Sequence, residues 1–187
     1  MRKVIMFNLI TLDGYFEGSK KWEIDWHQVD DEFNEYAINQ LESADGLIFG
    51  RVTYQGMAAY WPSPMAIEDD PIVATRMNEI PKFVFSNTMD KADWNNSTLI
   101  KGDAVVELRK LKQQPGKDLF IFGSADLASA FTRENLIDEY RLIVNPIVLG
   151  KGAPLFKQEA GRLKLKLLNT RPFRNGNVLL FYAPDGK

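Results

Sequence analysis

Three short polar segments of this chain carry residue types that bind phosphate, and each follows an apolar run. Gly50-Arg51-x-Thr53 sits where a strand gives way to a helix, and Ser86-Asn87-Thr88 follows Phe83-Val84-Phe85. Gly123-Ser124-Ala125-Asp126 follows Leu119–Phe122. A strand that turns at glycine straight into a helix leaves backbone N–H donors free at the positive end of the helix dipole, which suits an anion. Arg51 adds a guanidinium fork, and Thr53 a hydroxyl close to the helix start. In open α/β sheets, ligands gather beyond the carboxyl ends of strands, so three such ends together point to a nucleotide cofactor and hence an enzyme. The spelling is neither Gly-x-Gly-x-x-Gly nor a Walker loop, so the usual dinucleotide fingerprint is absent. Asp126 in the first turn suits the dipole but would repel a phosphate, so its carboxylate is expected to point away or to bond backbone.

Acid–base candidates are few. His27 is the single histidine, and Asp13 and Tyr54 are the other proton donors considered. No Ser or Asp partner has a telling spacing to His27, so a loop histidine without a chemical role is the expectation. Trp22, Trp26, Tyr54, Tyr60 and Trp61 have rings that could stack on a planar ligand, although aromatics more often only pack. With no cysteine, disulfides, thiolate zinc sites and cysteine nucleophiles are excluded. No Asp-x-Asp-x-Asp-Gly loop suggests calcium, and no metal is expected.

Elements of alternating type must position these residues. Length fits one domain of 187 residues, and 45% hydrophobic with 26% charged is ordinary globular composition. A net charge of −2 recommends neither nucleic acid nor an anionic membrane as partner. The start, Met1-Arg2-Lys3 and then Val4–Ile10, could be mistaken for a signal peptide. It contains Asn8, stops at Thr11-Leu12-Asp13-Gly14 and lacks a small-residue cleavage site. A cytoplasmic protein is expected.

Val4–Leu9 reads as a strand buried on both faces, followed by an irregular aromatic loop with Tyr15, Phe16, Trp22 and Trp26. Asp30–Glu42 is an amphipathic helix, Gly46–Gly50 a strand, and Val52–Tyr60 a helix that Trp61-Pro62-Ser63-Pro64 ends. Pro71–Asn78 and Ala104–Gln113 are helices; Lys82–Ser86 is a strand and Leu99-Ile100 a weaker one. After the strand and helix around Gly123 comes Tyr140–Val144. Leu163, Leu165 and Leu167 alternate with lysines in a one-faced strand, and Asn175-Gly176 turns into Val178–Ala183. The pattern predicts a three-layer α/β/α domain with a mixed, mostly parallel central sheet and a C-terminal antiparallel hairpin.

In order along the chain, these segments resemble the dihydrofolate-reductase-like superfamily. The similar branch is the reductase domain at the C-terminus of the bifunctional riboflavin-biosynthesis deaminase/reductase, in its single-domain, bacillus-type form. The resemblance rests on Leu12-Asp13-Gly14, Gly50-Arg51-x-Thr53-Tyr54 and Phe122-Gly123-Ser124-Ala125-Asp126-Leu127. Most specific are Leu136-Ile137-Asp138-Glu139 and Pro146-Ile147-Val148-Leu149-Gly150-x-Gly152-x-Pro154-Leu155-Phe156.

The resemblance implies NADPH-dependent hydride transfer to a small polar or heteroaromatic substrate, pterin- or pyrimidine-like, by a homodimer. Gly50, Arg51 and Thr53 would touch phosphates, Ser86, Asn87 and Thr88 the adenosine side with its 2′-phosphate, and Gly123, Ser124, Ala125 and Asp126 the pyrophosphate. Asn8, Asp13, Tyr15, Trp26 and Trp61 would border the substrate. The alternatives are the 5-amino-6-(5-phosphoribosylamino)uracil reductase reaction and a nucleotide-binding module without turnover. Two departures stand out. Phe122 occupies the place of a glutamate common in the riboflavin-pathway reductases. Trp26-His27-Gln28-Val29-Asp30-Asp31 lacks the proline of the corresponding stretch in dihydrofolate reductases, where an acid binds the pteridine.

Overall fold

The computed structural model describes residues 1–157 and 161–186. The first apolar run is strand β1, Val4–Thr11, longer than its hydrophobic stretch because Asn8 and Thr11 are buried with it. Tyr15–Glu17 is a short strand, β2, where the sequence suggested only loop. Helix α1 is Asp31–Ser43, with Asp30 outside it as N-cap, its carboxylate accepting from Phe33 N at 2.9 Å. Strand β3, Ala44–Gly50, runs directly into helix α2, Arg51–Tyr60. The Trp-Pro-Ser-Pro segment ends α2 but also starts a helix: Ser63 caps α3, Pro64–Asp69, and Asp70 caps α4, Pro71–Glu79. Proline at a first helical position loses no hydrogen bond, so one breaker serves both roles.

Strands β4, Lys82–Phe85, and β5, Ser97–Ile100, lead to helix α5, Ala104–Gln113. Strand β6 is Asp118–Phe122, helix α6 Ala125–Arg133 and strand β7 Glu139–Asn145. Strand β8, Ala153–Pro154, pairs with β2, and the chain closes with β9, Leu165–Pro172, and β10, Val178–Pro184.

The main sheet has eight strands in the order β5-β4-β3-β6-β1-β7-β10-β9. All pairs from β5 to β7 are parallel, and β10 pairs antiparallel with both β7 and β9. One face packs Ile5, Phe7, Leu47 and Phe49 against Phe33 and Leu41 of α1, Tyr54 of α2, and Val73 and Met77 of α4. The other face packs Val4, Met6 and Ile121 against Leu108 of α5 and Ala128 and Phe131 of α6. This is the expected three-layer arrangement. Because the strands from β5 to β7 are parallel, their carboxyl ends share one edge of the sheet.

The one-faced strand expected from Leu163, Leu165 and Leu167 needs correction. Leu163 precedes β9, and a bulge between Phe181 and Tyr182 leaves Leu168 as the extra residue. Leu167 and Leu168 are each 51% exposed, because β9 is the sheet's edge.

One charged side chain among the buried polar ones is fully enclosed. Lys82 of β4 is fully buried; its Nζ donates to the carbonyls of Asn78 (2.9 Å), Ile80 (2.8 Å) and Asn95 (2.9 Å), and lies 4.3 Å from the Trp94 ring centre. Burial pushes its ammonium down to about 8, still charged at neutral pH. Three carbonyls and a π face replace its water, and in return it fixes the ends of two loops. Lys82→Met keeps the stem but leaves those carbonyls unmatched. A loss of about 2–4 kcal/mol in urea unfolding is expected, and a change under about 0.5 kcal/mol would remove Lys82 from this role.

Candidate active site

The ten residues expected on the phosphate and adenosine side come together on the shared edge, at the ends of β4, β3 and β6. Four helices carry a side-chain N-cap: α1 by Asp30, α3 by Ser63, α4 by Asp70 and α5 by Asp103. The N-caps of α2 and α6, Gly50 and Ser124, make no such bond. These two starts are instead tied to each other. Ser124 N donates to Thr53 Oγ1 at 3.0 Å, Gly50 N donates to Ser124 Oγ at 2.9 Å, and that hydroxyl donates to Phe122 O at 3.1 Å. Gly123 and Ser124 are both left-handed, with φ of +56° and +55°. A Cβ on Gly123 would come within 3.0 Å of Thr53 Cγ2, so that turn is closed to side chains by space as well as by backbone.

Around this pair the remaining residues are looser. Arg51 is exposed and donates to Gln55 Oε1 at 3.3 Å. Ser86 Oγ accepts from the backbone of Thr88 and Met89, a local turn. Asn87 bridges to the next strand end, with Oδ1 accepting from Gly102 N at 2.6 Å and Nδ2 donating to Gly102 O at 3.2 Å. Asp126 points outward, its side chain 86% exposed as expected from the sequence, and pairs there with Lys157.

The proton-donor candidates fare differently. Asp13 is exposed but committed: Oδ1 accepts from Thr11 Oγ1 (2.6 Å) and Leu149 N (3.3 Å), and Oδ2 from Gly150 N (2.8 Å). The Thr11 hydroxyl and the Gly150 and Leu149 amides hold its carboxyl below the ordinary carboxylate range, the wrong direction for a proton donor. Asp13 thus joins the Leu-Asp-Gly turn to the Pro146–Gly152 loop, alongside the β2–β8 pair. Tyr54 is 3% exposed, its hydroxyl accepting from Trp94 N at 2.9 Å and lying 3.2 Å from Ser97 Oγ. It is a core residue, since one position on from Thr53 turns it to the sheet. His27 is partly buried beside Trp26, and its Nε2 finds no partner among the described residues. Burial pushes its pKa down to about 4, leaving it neutral near pH 7.

Of the residues expected to border the substrate, Asn8 lies one residue beyond the Phe7–Phe122 pair where β6 stops, with Nδ2 buried and unpartnered among the described residues. Tyr15 is half-buried in β2. Trp26 is buried, its indole N–H given to Glu23 O. Trp61 belongs elsewhere: α2 starts at the edge and runs down the sheet, so its C-cap lies ~15 Å from the first turn. A cleft of about 610 Å³ near that end is lined by Tyr54, Gln55, Ala58, Met89, Lys91 and Trp94, and none of the ten phosphate-side residues borders it. Among the described residues, no three His, Cys, Asp or Glu side chains gather as a metal cage.

Some residues at the edge escaped the sequence reading. Asn145, fully buried at the end of β7, accepts from Gln28 N at 3.0 Å, and Asn177 Nδ2 donates to Gln28 O at 2.8 Å, so both hold the segment before α1. Asn145 was hidden in an Asn-Pro pair and Asn177 behind an Asn-Gly turn, both of which read as loop punctuation.

The fold is dihydrofolate-reductase-like: dihydrofolate reductase from Enterococcus faecalis, complexed with NADP(H), superposes at a TM-score of 0.66 with 14% identity, covering 98% of this chain and 96% of that one. The match to the RibD C-terminal domain spans residues 2–179, and the chain belongs to that family. Protein YyaP of Bacillus subtilis (strain 168) is 35% identical over 99% of this chain and 96% of its own length. A protein of Shewanella sp. PV-4 with a provisional riboflavin-biosynthesis designation superposes at a TM-score of 0.75, with 26% identity over 98% of this chain and 99% of that one. Among the described residues no helix is long and apolar enough to cross a membrane.

His27 makes one pH effect specific. Its folded pKa lies below the ordinary value, so between about pH 6.5 and 4 the unfolded chain binds the proton more readily, and stability falls as pH falls through that window. On the order of 2 kcal/mol should be lost between pH 7 and 5 from this group. Denaturant unfolding of wild type and His27→Gln at both pH values checks this. Equal pH slopes in the two proteins would mean that His27 titrates normally.

Proposed function

We propose that this protein is an NADPH-dependent reductase that delivers hydride to a small polar or heteroaromatic ring, pterin- or pyrimidine-like. The observation that carries this reading is the joined pair of helix starts at Gly50–Thr53 and Gly123–Ala125, which lack side-chain caps and present two positive dipole ends side by side. The residues present fit a dinucleotide. Gly123 lets the two turns close on each other through Thr53, Lys157 pairs with Asp126, and exposed Arg51 can fork onto a further phosphate. Ser86, Asn87 and Thr88 extend the same edge towards the adenosine end. Bound NADPH supplies the hydride; the chain's part is to orient it, set the local charge and exclude water.

The proton that accompanies hydride transfer comes from bound water in this reading. Asp13 is held ionised, Tyr54 is locked in the core and His27 is neutral and tucked beside Trp26, so none is poised to give one. The phosphoribosylaminouracil reaction is disfavoured by Phe122, whose ring packs on Phe7 at 5.5 Å where that pathway's enzymes commonly carry a glutamate. The exposed edge strand β9 supports pairing with a second copy of the chain.

Thermal shift with NADPH, NADH and the Arg51→Ala variant tests the cofactor assignment. A ligand at about 100 times its Kd should add about 2.7 kcal/mol. NADPH is expected to stabilise more than NADH, with Arg51→Ala narrowing the gap. No stabilisation by either nucleotide at millimolar concentration would end the assignment.

A further inference from the structure

The hairpin between β9 and β10 carries a reactive dipeptide where the fold also uses its amide. Asn175-Gly176 is the single place in the chain where an asparagine precedes glycine. Elsewhere the following residue has a side chain that shields its backbone nitrogen, and after Asn145 it is Pro146, which has no N–H. Arg174, Asn175 and Gly176 form a three-residue loop. Gly176 N donates to Phe173 O at 3.1 Å, Phe173 N donates to Asn177 O at 2.8 Å, and Gly176 is left-handed with φ of +92°. Gly176 is exposed and Asn175 half-buried, so solvent reaches the dipeptide.

The same amide docks the hairpin on the segment before α1. Asn175 Nδ2 donates to Gln28 O at 3.3 Å, beside a shorter bond from Asn177 Nδ2 at 2.8 Å. Asn175 Oδ1 accepts from Asn177 N at 3.0 Å. One residue back, Arg174 N donates to Glu32 Oε2 at 2.9 Å, which brings a carboxylate to this side of the hairpin. For Asn175 Cγ to reach the Gly176 nitrogen, both side-chain bonds must break and the Gly176–Phe173 bond must open. Any reaction between them therefore starts from a locally opened hairpin.

We propose that Asn175 is a spontaneous modification site, converted to aspartate and isoaspartate through Gly176, and that its dock on Gln28 both slows the conversion and is undone by it. The Gly176 nitrogen gives its proton to solvent base and bonds to Asn175 Cγ. The Cγ–Nδ2 bond breaks, ammonia leaves with a proton from water, and a cyclic imide closes. Water then opens one of the two carbonyl–nitrogen bonds. Opening at Cγ leaves aspartate in the original chain. Opening at the backbone carbonyl leaves isoaspartate, with the chain rerouted through Cγ. Either product replaces a donor to Gln28 O by a carboxylate, so an acceptor faces an acceptor with Glu32 bound one residue away. Isoaspartate also lengthens the loop that sets the β9–β10 register. The site stands independently of the cofactor reading.

Peptide mapping by mass spectrometry follows the amide-to-acid change in protein held in mildly alkaline buffer, native and in unfolding urea. In native wild type, Asn175 is expected to convert ahead of every other asparagine, with both products present, and at least 10-fold more slowly than in urea. Glu32→Ala removes the neighbouring anchor and leaves both asparagines. It should convert at least 3-fold faster than wild type when native, and at the wild-type rate in urea. Native protein whose Asn175 stays intact, whether or not another asparagine converts, would overturn the site. Equal native and urea rates in wild type, or no acceleration in Glu32→Ala, would overturn protection by the dock. The converted wild-type protein, one negative charge richer, separates on anion exchange. Amide hydrogen exchange over residues 28–33 is expected to be at least 5-fold faster in it than in unconverted protein. An unchanged exchange rate would mean that the dock survives, and would reject the release.

Discussion

The site depends on the exchange of hydrogen bonds between two neighbouring strand-to-helix turns. Ser124 takes a hydroxyl from Thr53 as acceptor for its amide and returns its own hydroxyl to the Gly50 amide. Each bond is worth about 1 kcal/mol net, which roughly offsets holding Ser124 in a left-handed conformation. The exchange works only if β3 and β6 are adjacent, parallel and in register, which the Leu47–Phe120 and Ile48–Ile121 pairs provide. It also diverts the Ser124 hydroxyl from capping α6, while the N-cap of α2, Gly50, has none to give. Neither helix start is capped by a side chain, and two sets of amide donors stay available at one place.

A second fastening fixes what surrounds that place. Asp13 gathers the amides of Leu149 and Gly150, Leu12 N donates to Ile147 O at 2.8 Å, and β2 pairs with β8. Gly152 is required there because a Cβ would run into the Glu17 carbonyl. The two most recognisable sequence segments, Leu12–Gly14 and Pro146–Phe156, are therefore halves of one clasp. Their residue types are explained by holding the aromatic segment in position.

The sequence revealed the layers because periodicity is a local property. The apolar runs Val4–Leu9, interrupted by Asn8, and Leu119–Phe122 lie in the sheet, and the Ala104–Gln113 stripe is a helix with those limits. Gly50, Thr53, Gly123 and Ser124 were legible for the same reason, since glycine and hydroxyl residues at a strand end have few uses. Residues whose roles depend on a distant partner were not legible. Trp22 looked like any loop tryptophan until Gly56, 34 positions away in the chain, was seen to lack the atom that would exclude it. Trp61 looked equivalent to Trp26 because the direction in which α2 descends is set by the sheet. The bulge at Leu168 changed the outlook of its strand, and nothing in the Lys-Leu alternation announces it.

The chemistry of the edge follows from where charge has been placed and where it has been removed. At the β3 and β6 ends the acid in the first turn of α6 is matched by Lys157, so the amide dipoles there are not opposed by a bare carboxylate. On the β1 side, Phe7 and Phe122 set an apolar contact 5.5 Å between ring centres, and the nearest candidate acid, Asp13, is turned into the clasp. A flat, neutral ring would need only apolar contact and a few hydrogen bonds, for which the buried, unpartnered Nδ2 of Asn8 is a donor already desolvated. That division, polar donors under one half of the edge and aromatic surface under the other, supports an anionic cofactor beside an uncharged substrate ring.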